Sequence, residues 1–404
     1  MLLLRLIATI ASFSICFHIA NLMKIVTTTV VAAALLFANG LGATPKPVPD
    51  PPSIQADSYY LLDFDSGRVL AERNPDKRIE PASITKLMTA YLVDMAIASG
   101  DITLDDMVLI SEKAWRIKGS KMFVEVNKRV SVLDLMQGLI IQSGNDASIA
   151  LAEYVAGSES AFAGYMNHQA KLLGMTNTNF QNATGWPAEG HYSTARDIAI
   201  LTRAVIRDFP DTYRYYREKE YTFNSIRQFN RNRLLWRDKS VDGVKTGHTE
   251  GAGYCLVSSA KRDDMRLISV ILGAGSDKSR TQNSQALLNY GFRYFETHRV
   301  YRANEVLKTT RVWYGDRKEV SMGVAKDIYI TIPRGRYQEL DATMDIESQI
   351  SAPITRGQEL GLVSIKLDEE TIVSETIVAT HAVNDGGLWD KAIDGIKLMF
   401  KSGI

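Results

Sequence analysis

The feature that most constrains this chain is a switch in hydrophobic period. From Ser83 to Ala98, apolar residues stand at Ile84, Leu87, Met88, Tyr91, Leu92 and Met95, the three-and-four spacing of a helix facing a core, and Gly100 follows as a stop. The same period recurs at Val132 to Ile141, Ala147 to Ala156, Ala161 to Leu173 and Thr194 to Arg207. It then gives way to short strand-like runs at Val241 to Lys245, Tyr254 to Ala260 and Arg266 to Gly273. The last two are joined by the polar turn Lys261-Arg262-Asp263-Asp264, and a closing helix is expected over Ser279 to Phe295. Ahead of the helices, Tyr59 to Glu72 reads as a hairpin around Gly67. Strands at both ends with helices between predict an α/β (α+β) domain, one mixed sheet covered by helices.

Beyond His298 the helical period disappears. β-rich runs at Val312 to Tyr314, Asp327 to Ile332, Ala342 to Ile346, Leu362 to Leu367 and Thr371 to Ala379, separated by Gly, Pro and Asp, predict a small all-β domain. The tail from Leu388 to Ile404 puts Leu388, Trp389, Ala392, Ile393, Ile396, Met399 and Phe400 on one helical face and five charged residues on the rest. Such a helix either lies in a membrane interface or packs on the body; its charges forbid spanning.

Residues 1–43 carry only Arg5 and Lys24 as charges, and Met23-Lys24 is followed by an apolar run to Phe37 and a small-residue stretch to Ala43. That is a signal-peptide pattern, with translation starting at Met1 or Met23; an uncleaved anchor is the alternative. Thr44 to Pro52 then holds five prolines in nine residues, a stiff extended linker. The expected organisation is a signal peptide 1–43, a linker 44–53, a catalytic domain 54–297, a β domain 298–385 and an amphipathic helix 386–404.

Charge excludes one class of partner. With 47 basic against 46 acidic residues and no basic stripe with interleaved aromatics, nucleic acid is not expected. The two cysteines, Cys16 and Cys255, make no disulfide framework, and the six histidines show no metal-binding spacing, so no cofactor or metal is called for. Cys255, on an apolar strand, reads as an inert core thiol.

Chemistry enters at Ser83-Ile84-Thr85-Lys86. On a helix the i,i+3 spacing sets the lysine amine beside the serine hydroxyl, where a neutral amine can act as base. Alone this pattern is common and usually means a cap and a solvated lysine. Sixty residues on stands Ser143-Gly144-Asn145, and 162 residues past Ser83, on an expected strand, stands Lys245-Thr246-Gly247. The ordered triple is specific to penicillin-recognising serine acyl enzymes.

With Pro81 to Thr89, Gln142 to Ala147, Tyr192 to Asp197, Asn230-Arg231-Asn232, Val241 to Thr249 and Ile330 to Gly335, the chain resembles low-molecular-mass penicillin-binding proteins of the D-alanyl-D-alanine carboxypeptidase type. The resemblance runs from about Ile54 to the C-terminus and implies a transpeptidase-like domain, then a β domain and a membrane-binding helix. It implies Ser83 as nucleophile, Lys86 as its base, Ser143 relaying a proton to the leaving D-alanine, and Asn145 holding the lysine amine and the substrate amide. Lys245, Thr246 and Arg231 would take the substrate carboxylate, and Gly247 would admit the substrate chain close to the strand. The backbone N–H groups of Ser83 and His248 would hold the oxyanion. The His248 side chain orients its surroundings or merely fills a strand position, and Glu189 and His191 border the cleft or brace a loop.

The implied substrate is the peptidoglycan stem pentapeptide, the implied covalent inhibitors are β-lactams, and the implied location is the outer face of the bacterial inner membrane, held through residues 388–404. Trp115 to Met122 reads as shorter than the loop many relatives carry there. A β-lactamase is the nearest rival, but the window Thr176 to Ala183, where a deacylating acid would stand, contains none. A cross-link endopeptidase uses the same residues, and a silent wall-binding scaffold would keep the motifs without using them.

Overall fold

A computed structural model describes residues 47–401. Residues 1–46, on which the expected signal peptide and the start of the expected linker fall, lie outside the described residues, as do the last three positions.

Five strands build the main sheet: β1 (Ser58–Asp63), β2 (Val69–Arg73), and, after β3 (Met107–Leu109) with β4 (Arg129–Ser131) and β5 (Glu220–Phe223) with β6 (Ile226–Phe229) as two small ribbons, β7 (Val241–Thr249), β8 (Gly253–Arg262) and β9 (Met265–Ala274). Their order is β2-β1-β9-β8-β7. The sheet is antiparallel throughout rather than mixed. The reason is connectivity: tight turns make β7, β8 and β9 a meander, and β1 returns to the free edge of β9 in the opposite direction.

The helix Lys86–Ala98 is buried on ten of its thirteen residues, because it runs between the Asn145–Ala156, Glu159–Leu172 and Ala195–Asp208 helices. Of the apolar positions that set its expected period, only Met95 emerges into solvent. Leu87 and Met88 are fully enclosed, and truncating either to alanine costs about 2–5 kcal/mol. The helix Asp277–Tyr294 covers β8 and β9 from outside the helical cluster. Its N-terminus is set by Ser276, whose Oγ accepts from Ser279 N–H at 3.1 Å, so it starts two residues before its expected position.

Two expected helices are modified where function gathers. Ala82–Thr85 is a tight 3₁₀ turn feeding Lys86–Ala98. The expected Val132 to Ile141 helix is regular only to Gln137, then widens to a π turn over Gly138–Gln142 and ends on Ser143 at φ +66°. The extra residue in that turn delivers Ser143 out of the helix axis.

Beyond Tyr294 the chain enters β10 (Phe295–Tyr301), which runs through residue 297 and pairs with β13 (Ile328–Pro333). With β11 (Val306–Trp313), β12 (Glu319–Val324), β14 (Leu340–Ile346), β15 (Ile350–Ser351), β16 (Glu359–Leu367) and β17 (Glu370–Ala379), it encloses a second core around Val320, Met322, Ile330, Val363 and Ile377. The strand β12 escaped the sequence reading although Glu-Val-Ser-Met-Gly-Val alternates, with Val320, Met322 and Val324 facing the core, because six residues that include a glycine are too short a run to stand out. A polar knot ties the two cores together: buried Asp63 accepts from Ser66 Oγ at 2.7 Å and from Thr297 Oγ1 at 2.7 Å, and Thr297 and Ser66 both reach Thr331. The described residues end in the helix Leu388–Lys401. Among the described residues no helix is long and apolar enough to cross a membrane.

Candidate active site

Pro81 and Ala82 turn the chain into the 3₁₀ segment, with Ala82 at φ +47°, and this turn presents Ser83 at the mouth of the buried helix. The turn is held by close backbone approach. Gly185 sits at φ +81° against the Ala82 carbonyl, and a Cβ there would fall 1.7 Å from that oxygen. Only glycine fits.

One helical turn on, Lys86 is fully buried. Its Nζ lies 3.0 Å from Ser83 Oγ, 2.7 Å from Asn145 Oδ1 and 2.5 Å from the Thr184 carbonyl. These three oxygens satisfy the donors of an ammonium. When the amine is neutral, the hydroxyl of Ser83 can reverse its role and donate to it. Burial lowers the Lys86 pKa to about 7, helped by the Arg231 charge and opposed by Asp146.

Asn145 is fixed at both ends of its amide, because its Nδ2 donates to the Lys118 carbonyl at 2.7 Å. The adjoining loop is clamped by Asp146, whose carboxylate accepts from the N–H groups of Met122, Phe123 and Val124. The Lys118 to Val124 segment therefore reaches the site through main-chain contacts.

Lys245 enters from β7, the edge strand of the sheet, and its Nζ lies 2.7 Å from Ser143 Oγ. Burial first, then Lys86, Arg231 and Arg280, holds Lys245 well below the ordinary lysine range. At Gly247 a Cβ would meet Ala82 Cβ and the Pro81 carbonyl at 3.1 Å, so the strand packs directly on the serine turn. The groups surround a cleft of about 720 Å³ lined by Ser83, Ser143, Asn145, Arg231, Thr246, Gly247 and His248, among others. Lys86 and Lys245 stand just behind it, each bonded to a lining serine.

This arrangement pairs two cleft hydroxyls, Ser83 and Ser143, each with an amine of depressed basicity, next to an edge strand free to receive an extended peptide. The sequence models that match give it a family. The model described as D-alanyl-D-alanine carboxypeptidase matches residues 45–276, and that described as penicillin-binding protein 5, C-terminal domain, matches 295–385.

The chain belongs to the D-alanyl-D-alanine carboxypeptidase family.

The chain is 46% identical over 377 residues to the carboxypeptidase DacC of Escherichia coli K12, covering 91% of this chain and 94% of that one. It is 44% identical over 358 residues to DacA of Haemophilus influenzae, covering 87% and 91%. The crystal structure of penicillin-binding protein 5 from Haemophilus influenzae superimposes with a TM-score of 0.81 at 43% identity, covering 83% of this chain and all of that one. Penicillin-binding protein D2 of Listeria monocytogenes in its ampicillin-bound form matches with a TM-score of 0.56 at 30% identity, over 60% of this chain and all of that one.

Within this carboxypeptidase-family cleft, sequence reasoning missed several contributors. Arg280, on the closing helix, is buried and donates from Nη1 to the carbonyls of Gly247 (2.9 Å) and Cys255 (3.1 Å), with Asp277 holding its other edge. An isolated arginine in a helix gives no signal by spacing. The Thr184 carbonyl is a backbone group, and the loop around it is shaped by Asn182, whose Oδ1 accepts from the N–H groups of Thr184, Gly185 and Trp186. Glu80 and Trp186 also line the cleft.

Glu189 is exposed and lies outside the cleft lining. His191 is buried behind it and braces the loop: its Nδ1 accepts from Gln181 N–H at 3.1 Å, which leaves Nε2–H to donate to Thr85 Oγ1 at 2.9 Å. The His248 ring packs 4.1 Å from that of Tyr254. Cys255 is buried, and burial pushes its thiol up to about 11.

Proposed function

We propose that the chain is an exported serine D,D-carboxypeptidase that removes the terminal D-alanine from peptidoglycan stem pentapeptides and is acylated by β-lactams. The observation that carries this reading is the three-way contact of buried Lys86 with Ser83, Asn145 and Thr184 in a chain of this family.

Neutral Lys86 takes the Ser83 proton as Oγ attacks the carbonyl carbon between the two D-alanines. Charge developing on the carbonyl oxygen is met by the N–H groups of Ser83 and His248, each such donor being worth about 10²- to 10³-fold in rate. Collapse breaks the C–N bond, and Ser143, backed by Lys245, relays to the departing amine the proton that Lys86 took from Ser83, which leaves Lys86 neutral again. Arg231, Thr246 and Lys245 hold the free carboxylate of the leaving residue. Water then attacks the acyl-enzyme, with the proton returning through Lys86 to Ser83 Oγ.

The working organisation is a cleaved signal segment 1–43, a linker 44–53, a catalytic domain 54–297, a β domain 298–385 and a foot, 386–404, that lies on the outer face of the inner membrane. The exposed apolar side chains Leu388, Trp389, Ile396 and Phe400 support the last element.

The deciding experiment measures D-alanine release from a pentapeptide ending in D-Ala-D-Ala, with the chain from Thr44 onward and with its Ser83→Ala variant. Release abolished by the substitution is expected. No release by folded wild type, with cleavage of a cross-linked dimer instead, would transfer the assignment to an endopeptidase; rapid penicillin turnover would transfer it to a β-lactamase.

A further inference from the structure

The last helix is tied to the β domain by its acidic face. Asp394, fully buried, accepts from Arg311 Nη2 at 2.8 Å through Oδ1 and from the Tyr314 N–H at 2.9 Å through Oδ2. One turn earlier, Asp390 Oδ1 pairs with Lys318 Nζ at 2.9 Å. Arg311 is itself braced over the Trp313 ring, 4.0 Å from its centroid. A helix merely tethered to a globular domain would not bury a carboxylate, because an unpaired buried charge is costly.

The approach to the helix is also occupied bond by bond. Asn384 N–H donates to Asp316 Oδ1 at 3.0 Å, and the Asn384 carbonyl accepts from Asp316 N–H at 2.9 Å. Gly386 N–H donates to the Tyr314 carbonyl at 2.7 Å, and Lys391 Nζ pairs with Asp385 at 2.8 Å. Tyr314 thus uses both main-chain groups on this segment, its N–H on the helix and its carbonyl on the approach. Asn384, Gly386, Asp390 and Asp394 are thus each bonded to the β domain, with no more than three residues between successive attachments.

At i, i+4, i+7 and i+11, on the side away from Asp390 and Asp394, stand Trp389, Ile393, Ile396 and Phe400. Trp389 is 83% exposed and Phe400 80%. Arg311 and Lys318 engage the helix's two acids, leaving a large apolar stripe with nothing over it among the described residues.

The geometry points to a clasp, Asp394 with Arg311 and Tyr314, that docks the terminal helix rigidly on the β domain and so presents its apolar stripe to a lipid surface in a single orientation. The inference rests on the membrane reading above and deepens it: the β domain is the stem that fixes how far and at what angle the catalytic cleft stands from the lipid. Because Asp394 is buried and Asp390 is paired with Lys318, the partner surface is the apolar interior of a bilayer interface, with tryptophan and phenylalanine at its boundary.

The test uses the chain from Thr44 onward, which retains every described element, with two variants. Asp394→Ala removes the acceptor, and Arg311→Gln removes the donor without changing the helix sequence. Hydrogen exchange of amides 388–401 is measured without lipid, flotation with phosphatidylglycerol–phosphatidylethanolamine vesicles is measured for all three proteins, and energy transfer is measured from a fluorescent penicillin bound in the cleft to an acceptor in the lipid phase.

The clasp requires protected amides in lipid-free wild type, exchange at least tenfold faster in both variants, retained flotation, and a narrow donor–lipid distance that broadens in both variants. Wild-type amides exchanging at unprotected rates, or variants exchanging as slowly as wild type, would overturn it. Failure of wild type to float would instead sink the membrane reading, and with it the orientation, while the exchange arms report on the clasp separately.

Discussion

The Nζ of Lys245 lies 2.7 Å from the Oγ of Ser143, and both side chains are buried at the back of the cleft that holds Ser83. The pair can therefore pass a proton without admitting bulk water, and it is distinct from the Lys86–Ser83 pair that starts the reaction. Ser143→Ala should spare the nucleophile and its base but deprive the leaving amine of its proton. kcat for pentapeptide should drop by about 10²- to 10³-fold with KM little changed. Stopped-flow acylation by a β-lactam, whose ring-opened amine stays attached, should be slowed less than peptide turnover.

Lys86 acts as a base only when neutral. Its ordinary pKa near 10.5 is lowered to about 7, so the neutral form accumulates as pH rises through about 7 instead of through 10.5. The acylation rate should rise roughly tenfold per unit below pH 7 and level off above it, with the apparent value belonging to the coupled lysines. Arg231→Gln removes the cation named after burial as a cause of the shift, and should move the inflection upward. An inflection unmoved by that substitution would show burial acting alone.

Gly185→Ala tests the packing of the serine turn. The added methyl would fall 1.7 Å from the Ala82 carbonyl at a φ of +81°, so the loop or the turn must move. Labelling by a fluorescent penicillin should fall by at least 10²-fold, because Ser83 is carried on the displaced turn. Gly275→Ala, where a Cβ meets nothing within 4 Å, serves as the control and should label normally.

Much of this site was legible because its chemistry is spelled in short local words. Ser83 and Lys86 are one turn apart, Ser143 and Asn145 flank a single glycine, and Lys245 to Gly247 lie along one strand, so local order plus secondary structure brings each group together. What escaped is non-local or carried by the backbone. Arg280 reaches the Gly247 carbonyl from a helix 33 residues further on, and the Thr184 carbonyl has no side-chain signature at all. The mixed sheet expected from strands at both ends of the helical segment is antiparallel instead, because the hairpins leave open only how the two groups of strands meet, and β1 pairs antiparallel with β9. The short ribbons β3–β4 and β5–β6 are too brief for any period to register.

Arg280 positions the strand on which the substrate must lie. It is a positioning residue, since its hydrogen bonds go to the Gly247 and Cys255 carbonyls and to Asp277. Arg280→Ala leaves two buried carbonyls short of a charged donor and should cost about 1–3 kcal/mol in stability. A structural loss alone would lower the melting temperature and leave kinetics of the folded fraction intact. A positioning role predicts more: KM for pentapeptide rises several-fold in folded protein, and Arg280→Lys restores stability better than KM, because a single ammonium cannot serve both carbonyls in the fork geometry.

His191 makes the loop behind the nucleophile sensitive to acid. Burial lowers its pKa from 6.5 to about 4, so the folded protein keeps the ring neutral where the unfolded chain takes up a proton. Stability contributed by the neutral ring is complete above about pH 6.5 and is lost as pH falls toward 4, at about 1.4 kcal/mol per unit, or about 2 kcal/mol by pH 5. Protonation would also put N–H on Nδ1, directly against the Gln181 N–H that now donates to it at 3.1 Å. His191→Gln retains a group able to accept from one side and donate to Thr85 Oγ1 on the other, without titrating. Its melting temperature should start below that of wild type at pH 7.5 and converge on it by pH 5; parallel curves would mean that His191 is not the acid-sensitive group.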